Sequence, residues 1–352
     1  MYILTIKLLL IVTVNPGYIL SEVNIMKKLI PFVAAAAACM LFASCGANDK
    51  KTTIGIAKIV QHPALDAVEQ GVMDAIKDAG YDVDYDLQNA NGDVNTAAQI
   101  ANVYKTKKVD VAVGIATPVA VALANTLKTT PVVFGTVTDP IAAGLVDSLD
   151  KGKDNVTGMS DQIPTVEHIK QFAKVANIKT LGYIYSSNEA NSVSSLELVK
   201  QGCKEAGIEL VEQSITTSSE VKSAAEAIIK RVDGIYLTTD NTVFSAIASL
   251  VDVFGNAKKP IFSGDVTAAK DGGIFMASGF NYYKAGRATG EMVVQILNGK
   301  KPADMPVRFM TEPSDSDLLI DLDAAKNCGI TIPAEYLNSA NMIFENGKLT
   351  EK

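Results

Sequence analysis

From Thr52 onward, short runs of β-branched and other apolar residues alternate with longer amphipathic segments. The first run, "TTIGIAKIV", has the length and composition of a buried strand. It is followed by "HPALDAVEQGVMDAIKDAG", in which Leu65, Val68, Val72 and Ile76 form one apolar stripe at helical spacing and Gly80 ends the helix. Continued alternation of this kind predicts right-handed βαβ units and parallel sheets covered by helices on both faces.

The same succession of elements occurs twice along the chain. In matching positions, "IKDAGYDVDY" resembles "CKEAGIELVE", "VDVAVGIATP" resembles "VDGIYLTTDN", and "TTPVVFGT" resembles "KKPIFSGD". We therefore predict an α/β protein with two Rossmann-like parallel-sheet lobes of one design.

The segments between and after the two halves predict several crossings from one lobe to the other. We assign residues 53–157 and 282–307 to lobe 1, and residues 158–281 and 308–352 to lobe 2. Several crossings restrain one another, so we expect a multi-strand hinge rather than a flexible linker.

The amino-terminal region has the features of an export signal. Lys27 and Lys28 precede an apolar run that is too short for a comfortable bilayer span, and the small residues Ala43 and Ser44 precede Cys45. This order resembles a bacterial lipobox, although Phe42 stands where leucine is commoner. We predict a signal region over 1–44 with its true start at Met26, lipidation of Cys45, and a tether over 45–52. The alternatives are a longer tandem signal and an ordinary secreted protein.

Charge and composition argue against a nucleic-acid partner and against an enzyme or metal site. A net charge of −7 with interspersed signs provides no basic face for a phosphate backbone, so we expect no nucleic-acid partner. The chain has two histidines and no CxxC, P-loop, GxSxG or strand-linked GxGxxG pattern, so we expect no metal, no cofactor and no enzymatic activity. Cys203 and Cys328 have the character of small packed residues rather than a disulfide.

Polar side chains are concentrated where the predicted strands end. In lobe 1 the strand-end loops read "QHPALD", "ATP" and "TVTDP", and in lobe 2 they read "SSNEANS", "TTDN" and "GDVT". Ligands of open parallel sheets bind at the carboxyl ends of the strands. We therefore expect these loops to face each other across one cleft, with helix N-termini available to an anion.

Seven segments together resemble one group of ABC-transporter substrate-binding proteins, the TrpX-like family. They are "QHPALD", "GIATP", "VTDP", "NVTGMSD", "IYSSNEANS", "LTTDN" and "GFNYYKAGRATGEM". This resemblance covers nearly the whole chain after the signal. It implies the type I periplasmic-binding-protein fold, closure around a small molecule, uptake of tryptophan, tyrosine or phenylalanine, and delivery to a membrane permease.

An amino acid needs donors for its carboxylate and an acceptor for its ammonium group, both buried without unpaired groups. We assign Thr117, Thr138, Ser186, Ser187 and Asn191 as donors. For the ammonium group we expect Asp265, and then Asp240. The predicted ligand contacts also include Gln61, His62, Thr136, Tyr185, Asn241 and Tyr282.

Two other interpretations stay open at this point. Several of the same residues can act as helix N-caps: Thr117 precedes Pro118, and Asp240 and Asn241 precede "TVFSAI". At the level of function, the same two-lobed protein can report its ligand to a receptor instead of a permease. A transcription-regulator lobe is disfavoured because an export signal, rather than a helix-turn-helix, precedes Thr52.

Overall fold

The structure is a computed structural model that describes residues 51–352. The predicted signal region 1–44, the lipidation site Cys45 and most of the tether lie outside the described residues. None of the helices between residues 51 and 352 has the length and apolar character needed to cross a bilayer.

The first sheet has six strands in the order β11-β5-β4-β3-β1-β2. All of its pairings are parallel. Its strands are β1 (Thr53–Lys58), β2 (Asp84–Asn89), β3 (Val111–Ile115), β4 (Val132–Gly135), β5 (Val156–Ser160) and β11 (Arg308–Phe309). The accompanying helices are α1 (Pro63–Asp78), α2 (Val94–Lys107), α3 (Thr117–Thr126) and α9 (Tyr282–Leu297). A single apolar core joins these elements.

The second sheet has eight strands in the order β14-β13-β12-β10-β9-β8-β6-β7. They are β6 (Thr180–Ser186), β7 (Glu209–Ile215), β8 (Gly234–Leu237), β9 (Ile261–Ser263), β10 (Met276–Phe280), β12 (Ser316–Asp321), β13 (Met342–Glu345) and β14 (Lys348–Glu351). Its helices are α4 (Thr165–Ala176), α5 (Ala190–Ala206), α6 (Val221–Ile228), α7 (Asn241–Phe244), α8 (Ile247–Asn256), α10 (Leu322–Asn327) and α11 (Ala334–Ser339). Separate apolar clusters cover its two faces.

The two sheets share one topology. Strands β2-β1-β3-β4-β5 of the first correspond in order to β7-β6-β8-β9-β10 of the second. The predicted two-lobed, parallel α/β architecture with internal repetition is therefore confirmed. Buried strands such as β3 and β4 are apolar throughout, as expected when helices cover both faces of a sheet.

The chain passes between the two sheets after β5, between β10 and α9, and between β11 and β12. We propose that the two sheets with their helices are the two lobes. Strand β5 extends to Ser160, and β11 comprises 308–309; both pair within the first sheet.

Two local features of the second sheet and its helices interrupt the simple alternation of strand and helix. The segment "NTVFSAIASLVDVFGNAK" forms two helices, α7 and α8, because Ala246 leaves the helical conformation between them. At the carboxyl end, β13 and β14 form an antiparallel hairpin through Asn346 and Gly347, both at positive φ. An Asn-Gly pair is a strong hairpin signal.

Helices α1 and α9 pack closely on the first sheet because glycines remove side chains at their contact. A methyl group at Gly286 would lie 2.3 Å from the carbonyl oxygen of Val68 on α1. By contrast, Gly255 in α8 has no atom within 4 Å of the position a methyl group would occupy.

We expect Gly286→Ala to lower the free energy of unfolding by about 1–3 kcal/mol because the added methyl forces the two helix backbones apart. The matched Gly255→Ala should raise it by about 0.5–1 kcal/mol because alanine restricts the unfolded chain and nothing obstructs its side chain. Urea unfolding of both variants measures the difference. Equal effects of the two substitutions would contradict the packing argument.

Candidate functional site: a polar cavity between the two lobes

A cavity that is partly open to solvent lies where the strand ends of the two sheets meet. Lobe 1 contributes residues after β1, β3, β4 and β5 together with Tyr282 of α9, and lobe 2 contributes residues after β6, β8 and β9. The lining residues are His62, Leu65, Ala116, Thr117, Thr136, Thr138, Asp161, Asn191, Thr239, Asn241, Phe244, Asp265 and Tyr282.

Most of the ligand contacts predicted from the sequence come together in this cavity. They are His62, Thr117, Thr136, Thr138, Asn191, Asn241, Asp265 and Tyr282. The N-termini of α1, α3, α5, α7 and α9 all lie at its wall, since each of these helices begins at or beside a lining residue. The positive ends of their dipoles favour a negatively charged group there.

The other predicted contacts lie elsewhere. Gln61 is exposed in a neighbouring, wider groove, and Ser187 donates its hydroxyl to the carbonyl of Ile215. Tyr185 stacks on Tyr183 at a ring separation of 5.6 Å. None of these three side chains lines the cavity, and neither does that of Ser186.

Asp240, the second candidate for the ammonium group, has a structural role. Its Oδ1 accepts a hydrogen bond from the N–H of Val243 at 2.9 Å and so caps α7, and its Oδ2 accepts one from the N–H of Ser186 at 2.6 Å. Burial, with the charge of Glu189 adding to it, raises the pKa of Asp240. Asp240 therefore holds β8, β6 and α7 together and is absent from the cavity wall.

Two buried carboxylates face the cavity from different lobes. Asp161 follows β5 and accepts a hydrogen bond from the hydroxyl of Thr138 at 3.0 Å. Asp265 follows β9 and accepts bonds from the N–H and hydroxyl of Thr267 at 2.7 and 2.6 Å. Burial raises the pKa of Asp161 to about 6, and the charge of Asp265 acts in the same direction. Burial also raises the pKa of Asp265.

No lysine or arginine is present among the described residues that line this cavity. The one titratable base there is His62, and burial lowers its pKa although Asp265 opposes the shift. The cavity thus offers two anionic groups and no permanent protein cation. Carboxylates placed together in this way are stable in their charged form only when a cation lies between them.

Direct contacts join the lobes around the cavity. The hydroxyls of Thr138 and Thr239 are 2.9 Å apart, and the hydroxyl of Ser194 donates to Asp139 Oδ2 at 3.3 Å. The rings of His62 and Phe244 lie 6.2 Å apart at an angle of 40°. The lobes are therefore in a closed arrangement.

Several buried polar atoms at the cavity wall have no hydrogen-bond partner among the described residues. They are Nε2 of His62, Oγ1 of Thr117 and Oδ1 of Asn191. Leaving such an atom unpaired costs about 1–3 kcal/mol. These atoms converge on one cavity, where a polar molecule can supply their missing partners.

The backbone is strained where β3 and β4 enter the cavity. Ala116 has φ 72° and ψ 156°, a region that glycine alone occupies readily, and Thr136 has φ 55° although it is β-branched. Strain of this kind costs of order 1–3 kcal/mol and is concentrated at functional sites. At Ala116 it sets the direction in which α3 presents its N-terminus to the cavity.

Sequence reasoning missed five lining residues: Leu65, Ala116, Asp161, Thr239 and Phe244. Asp161 follows β5 directly, and the sequence carried the same signal as the other strand ends. The sequence-based bounds end lobe 1 at residue 157, so Asp161 is not recognised from the sequence as the residue that follows a strand of that lobe. Phe244 and Leu65 lie on helices, where an apolar residue gives no sign of facing a ligand.

Among the residues that the structure describes, no group of three or more His, Cys, Asp or Glu side chains is arranged to hold a metal ion. Cys203 and Cys328 are both free.

Comparison with known proteins gives a consistent result. Residues 53–343 match the family described as ABC transporter substrate binding protein. A tyrosine-binding protein of Clostridioides difficile is 34% identical over 286 residues, which cover 79% of this chain and 81% of that protein.

Two solved structures resemble the chain at nearly equal identity but to different degrees in shape. An ABC domain from Streptococcus pneumonia in complex with L-Trp is 33% identical, covers 84% of this chain and 100% of that one, and has a TM-score of 0.79. The ligand-free, open structure of a substrate binding protein with adhesive properties from Clostridium difficile is 34% identical, with coverages of 80% and 96% and a TM-score of 0.61. The expected type I periplasmic-binding-protein fold is confirmed.

We expect Ala116→Gly to raise the thermal unfolding midpoint, because relief of about 1–3 kcal/mol of backbone strain exceeds the 0.5–1 kcal/mol that glycine costs through the unfolded chain. The control is Ala120→Gly in the following helix, which should lower the midpoint because glycine weakens a helix interior by about 1 kcal/mol. Calorimetry of both variants without ligand measures whether each unfolding midpoint rises or falls. A lowered midpoint for Ala116→Gly would contradict the claim that the backbone at Ala116 is strained.

Proposed function

Since the chain belongs to the family of ABC transporter substrate-binding proteins, whose members bind a solute without transforming it, we propose that it captures one amino acid of the tyrosine or tryptophan type in the cavity between its lobes. In this proposal it is exported, attached to the membrane through a lipid on Cys45, and delivers its ligand to an ABC permease.

The observation that carries the proposal is the pair of carboxylates, Asp161 and Asp265, that face one cavity without a protein cation. A ligand ammonium group supplies the missing charge. Because one carboxylate belongs to each lobe, a cation between them stabilises the closed form and contributes nothing comparable when the lobes are apart. A ligand shifts a conformational equilibrium only by such a difference in affinity.

The carboxylate of an amino acid also finds a complementary group in the cavity wall. Helix α3 begins at Thr117, whose hydroxyl is buried and unpartnered among the described residues. A carboxylate placed there accepts that hydroxyl and lies at the positive end of the helix dipole. The cavity therefore offers acceptors for an ammonium group and a donor for a carboxylate, which is the pattern of a zwitterion.

Ring-bearing side chains also line the cavity. His62, Phe244 and Tyr282 all line the cavity, and Leu65 adds an apolar surface. Aromatic contacts contribute about 0.5–1.5 kcal/mol beyond the buried area. This composition supports an aromatic ligand, in agreement with the printed ligands of the tyrosine-binding and L-Trp-bound relatives.

The comparison of shapes supports closure around the ligand. At nearly equal identity, the chain superimposes better on the L-Trp complex than on the ligand-free, open relative. Together with the contacts of Thr138 and Thr239 across the lobes, this supports a closed form that resembles a ligand-bound state.

Delivery to a permease, rather than signalling to a receptor, is supported by membership of the ABC transporter family. Uptake of labelled tyrosine and tryptophan by cells with and without the gene separates the two roles. A transport role requires reduced uptake in the deletion strain, whereas a purely sensory role leaves uptake unchanged.

We expect the purified protein to bind tyrosine or tryptophan, and Asp265→Asn to weaken that binding by at least about a hundredfold, because an ammonium group then loses one partner of a buried ion pair. Asparagine retains an oxygen that can accept the N–H of Thr267. Calorimetry with each of the amino acids measures both expectations. The control, Asp150→Asn at an exposed position, should leave affinity unchanged.

Absence of binding for every amino acid would contradict the proposed ligand class. Tight binding by Asp265→Asn would instead contradict the assigned position of the ammonium group.

Affinity should fall as the pH is lowered from about 6 to about 4. Burial raises the pKa of Asp161 to about 6, so below that pH the free protein carries a proton that the ligand ammonium must displace. One displaced proton corresponds to at most about tenfold in affinity per pH unit. Asp161→Asn should bind more weakly at pH 7.5 and show a flatter profile. If the affinity of Asp161→Asn depends on pH as steeply as that of the unmodified protein, Asp161 is not the group whose protonation weakens binding.

A further inference from the structure

Glu189 is a buried carboxylate beside the cavity, on the loop between β6 and α5. Its side chain is 3% exposed, and it accepts hydrogen bonds from donors in three neighbouring residues. Oε1 accepts the N–H and hydroxyl of Thr242 at 2.9 and 2.7 Å. Oε2 accepts the side-chain amides of Asn191 and Asn241 at 3.2 and 2.5 Å. Glu189 is absent from the cavity wall itself.

The orientation of the Asn191 amide follows from these bonds. Its Nδ2 donates to Glu189 and to the carbonyl of Thr239 at 3.0 Å, two groups that can only accept at these positions. The nitrogen must therefore face Glu189, and Oδ1 must face the other way. That oxygen is buried, lacks a partner among the described residues and belongs to a residue that lines the cavity.

Asn241 is oriented in the same manner. Its Nδ2 donates to Glu189, which leaves its oxygen for another donor. One carboxylate thus sets two amides with their NH₂ groups turned toward it and their oxygens turned away. The oxygen of Asn191 is available to a ligand.

We propose that Glu189 is a positioning residue that fixes Asn191 as a hydrogen-bond acceptor for the ligand, so that the cavity selects an ammonium group through a neutral oxygen in addition to its two carboxylates. The inference rests on the proposed amino-acid ligand and goes beyond it, because Glu189 touches no ligand and acts only through the amides.

An ammonium group has three N–H donors. Asp161, Asp265 and Asn191 provide three acceptors on the cavity wall, two of them charged and one neutral. A neutral third acceptor completes the hydrogen bonding of the ammonium group without adding a further negative charge to the cavity. A hydroxyl or a methyl group in place of the ammonium leaves at least one of these acceptors unpaired.

Glu189→Gln provides the direct test because glutamine has nearly the same shape as glutamate but carries an NH₂ donor in place of one carboxylate oxygen. The new NH₂ group competes for the oxygen of Asn191 and favours rotation of that amide away from its cavity-facing orientation. We expect affinity for tyrosine or tryptophan to fall by roughly tenfold to a hundredfold, the range expected for a buried hydrogen bond that is lost. Glu205→Gln, at the exposed end of α5, is the matched control and should bind normally.

A double-mutant cycle with Asn191→Ala separates positioning from general support of the fold. If Glu189 acts through Asn191, Glu189→Gln should weaken binding by less than about threefold once Asn191 is alanine. Calorimetric affinities of the four proteins give the coupling, and unfolding midpoints show whether each variant is folded. If Asn191→Ala is unfolded, Asn191→Ser takes its place in the cycle, because serine shortens the side chain and retains a polar group.

Additive losses in the two variants would overturn the positioning role while leaving the proposed function intact. Normal affinity of Glu189→Gln would overturn it as well. Failure of the unmodified protein to bind any amino acid would overturn the proposed function and this inference together.

Discussion

Burial of two like charges in one cavity is the constraint around which this protein is arranged. Asp161 and Asp265 follow strands of different sheets and line one cavity. Two carboxylates buried together are strongly unfavourable unless a cation joins them or one takes up a proton. In the proposed function, the ammonium group of the ligand is that cation.

The doubled topology explains how the fold produces this arrangement. Each sheet has the strand order 2-1-3-4-5, so each has its strand ends and helix N-termini on one edge. Bringing two such edges together concentrates loop polar groups, helix dipoles and strained backbone at Ala116 and Thr136 in one place. Crossings after β5, β10 and β11 restrict the relative motion of the lobes to opening and closing.

Sequence patterns were sufficient for the fold because hydrophobic periodicity and strand-end polarity are local properties. Thr117, Asp265 and Asn191 could be found since each follows a strand. The direction of a side chain depends on tertiary packing and cannot be read from the neighbouring residues in the sequence. Asp240, for example, follows a strand as Asp265 does, but its carboxylate caps α7 instead of facing the cavity. Asp161 was missed because the sequence-based bounds end lobe 1 at residue 157, and Glu189 because its role depends on amides distant in sequence.

The unpartnered atoms of His62, Thr117 and Asn191 have a consequence for the proposed delivery of a ligand to a permease. Closure without a ligand leaves each of these hydrogen bonds unmade and keeps two carboxylates in one cavity, so it disfavours the empty closed form. In the proposed role, a permease that binds only the closed form then responds to protein that carries a ligand, and ATP hydrolysis is coupled to the presence of a molecule to transport.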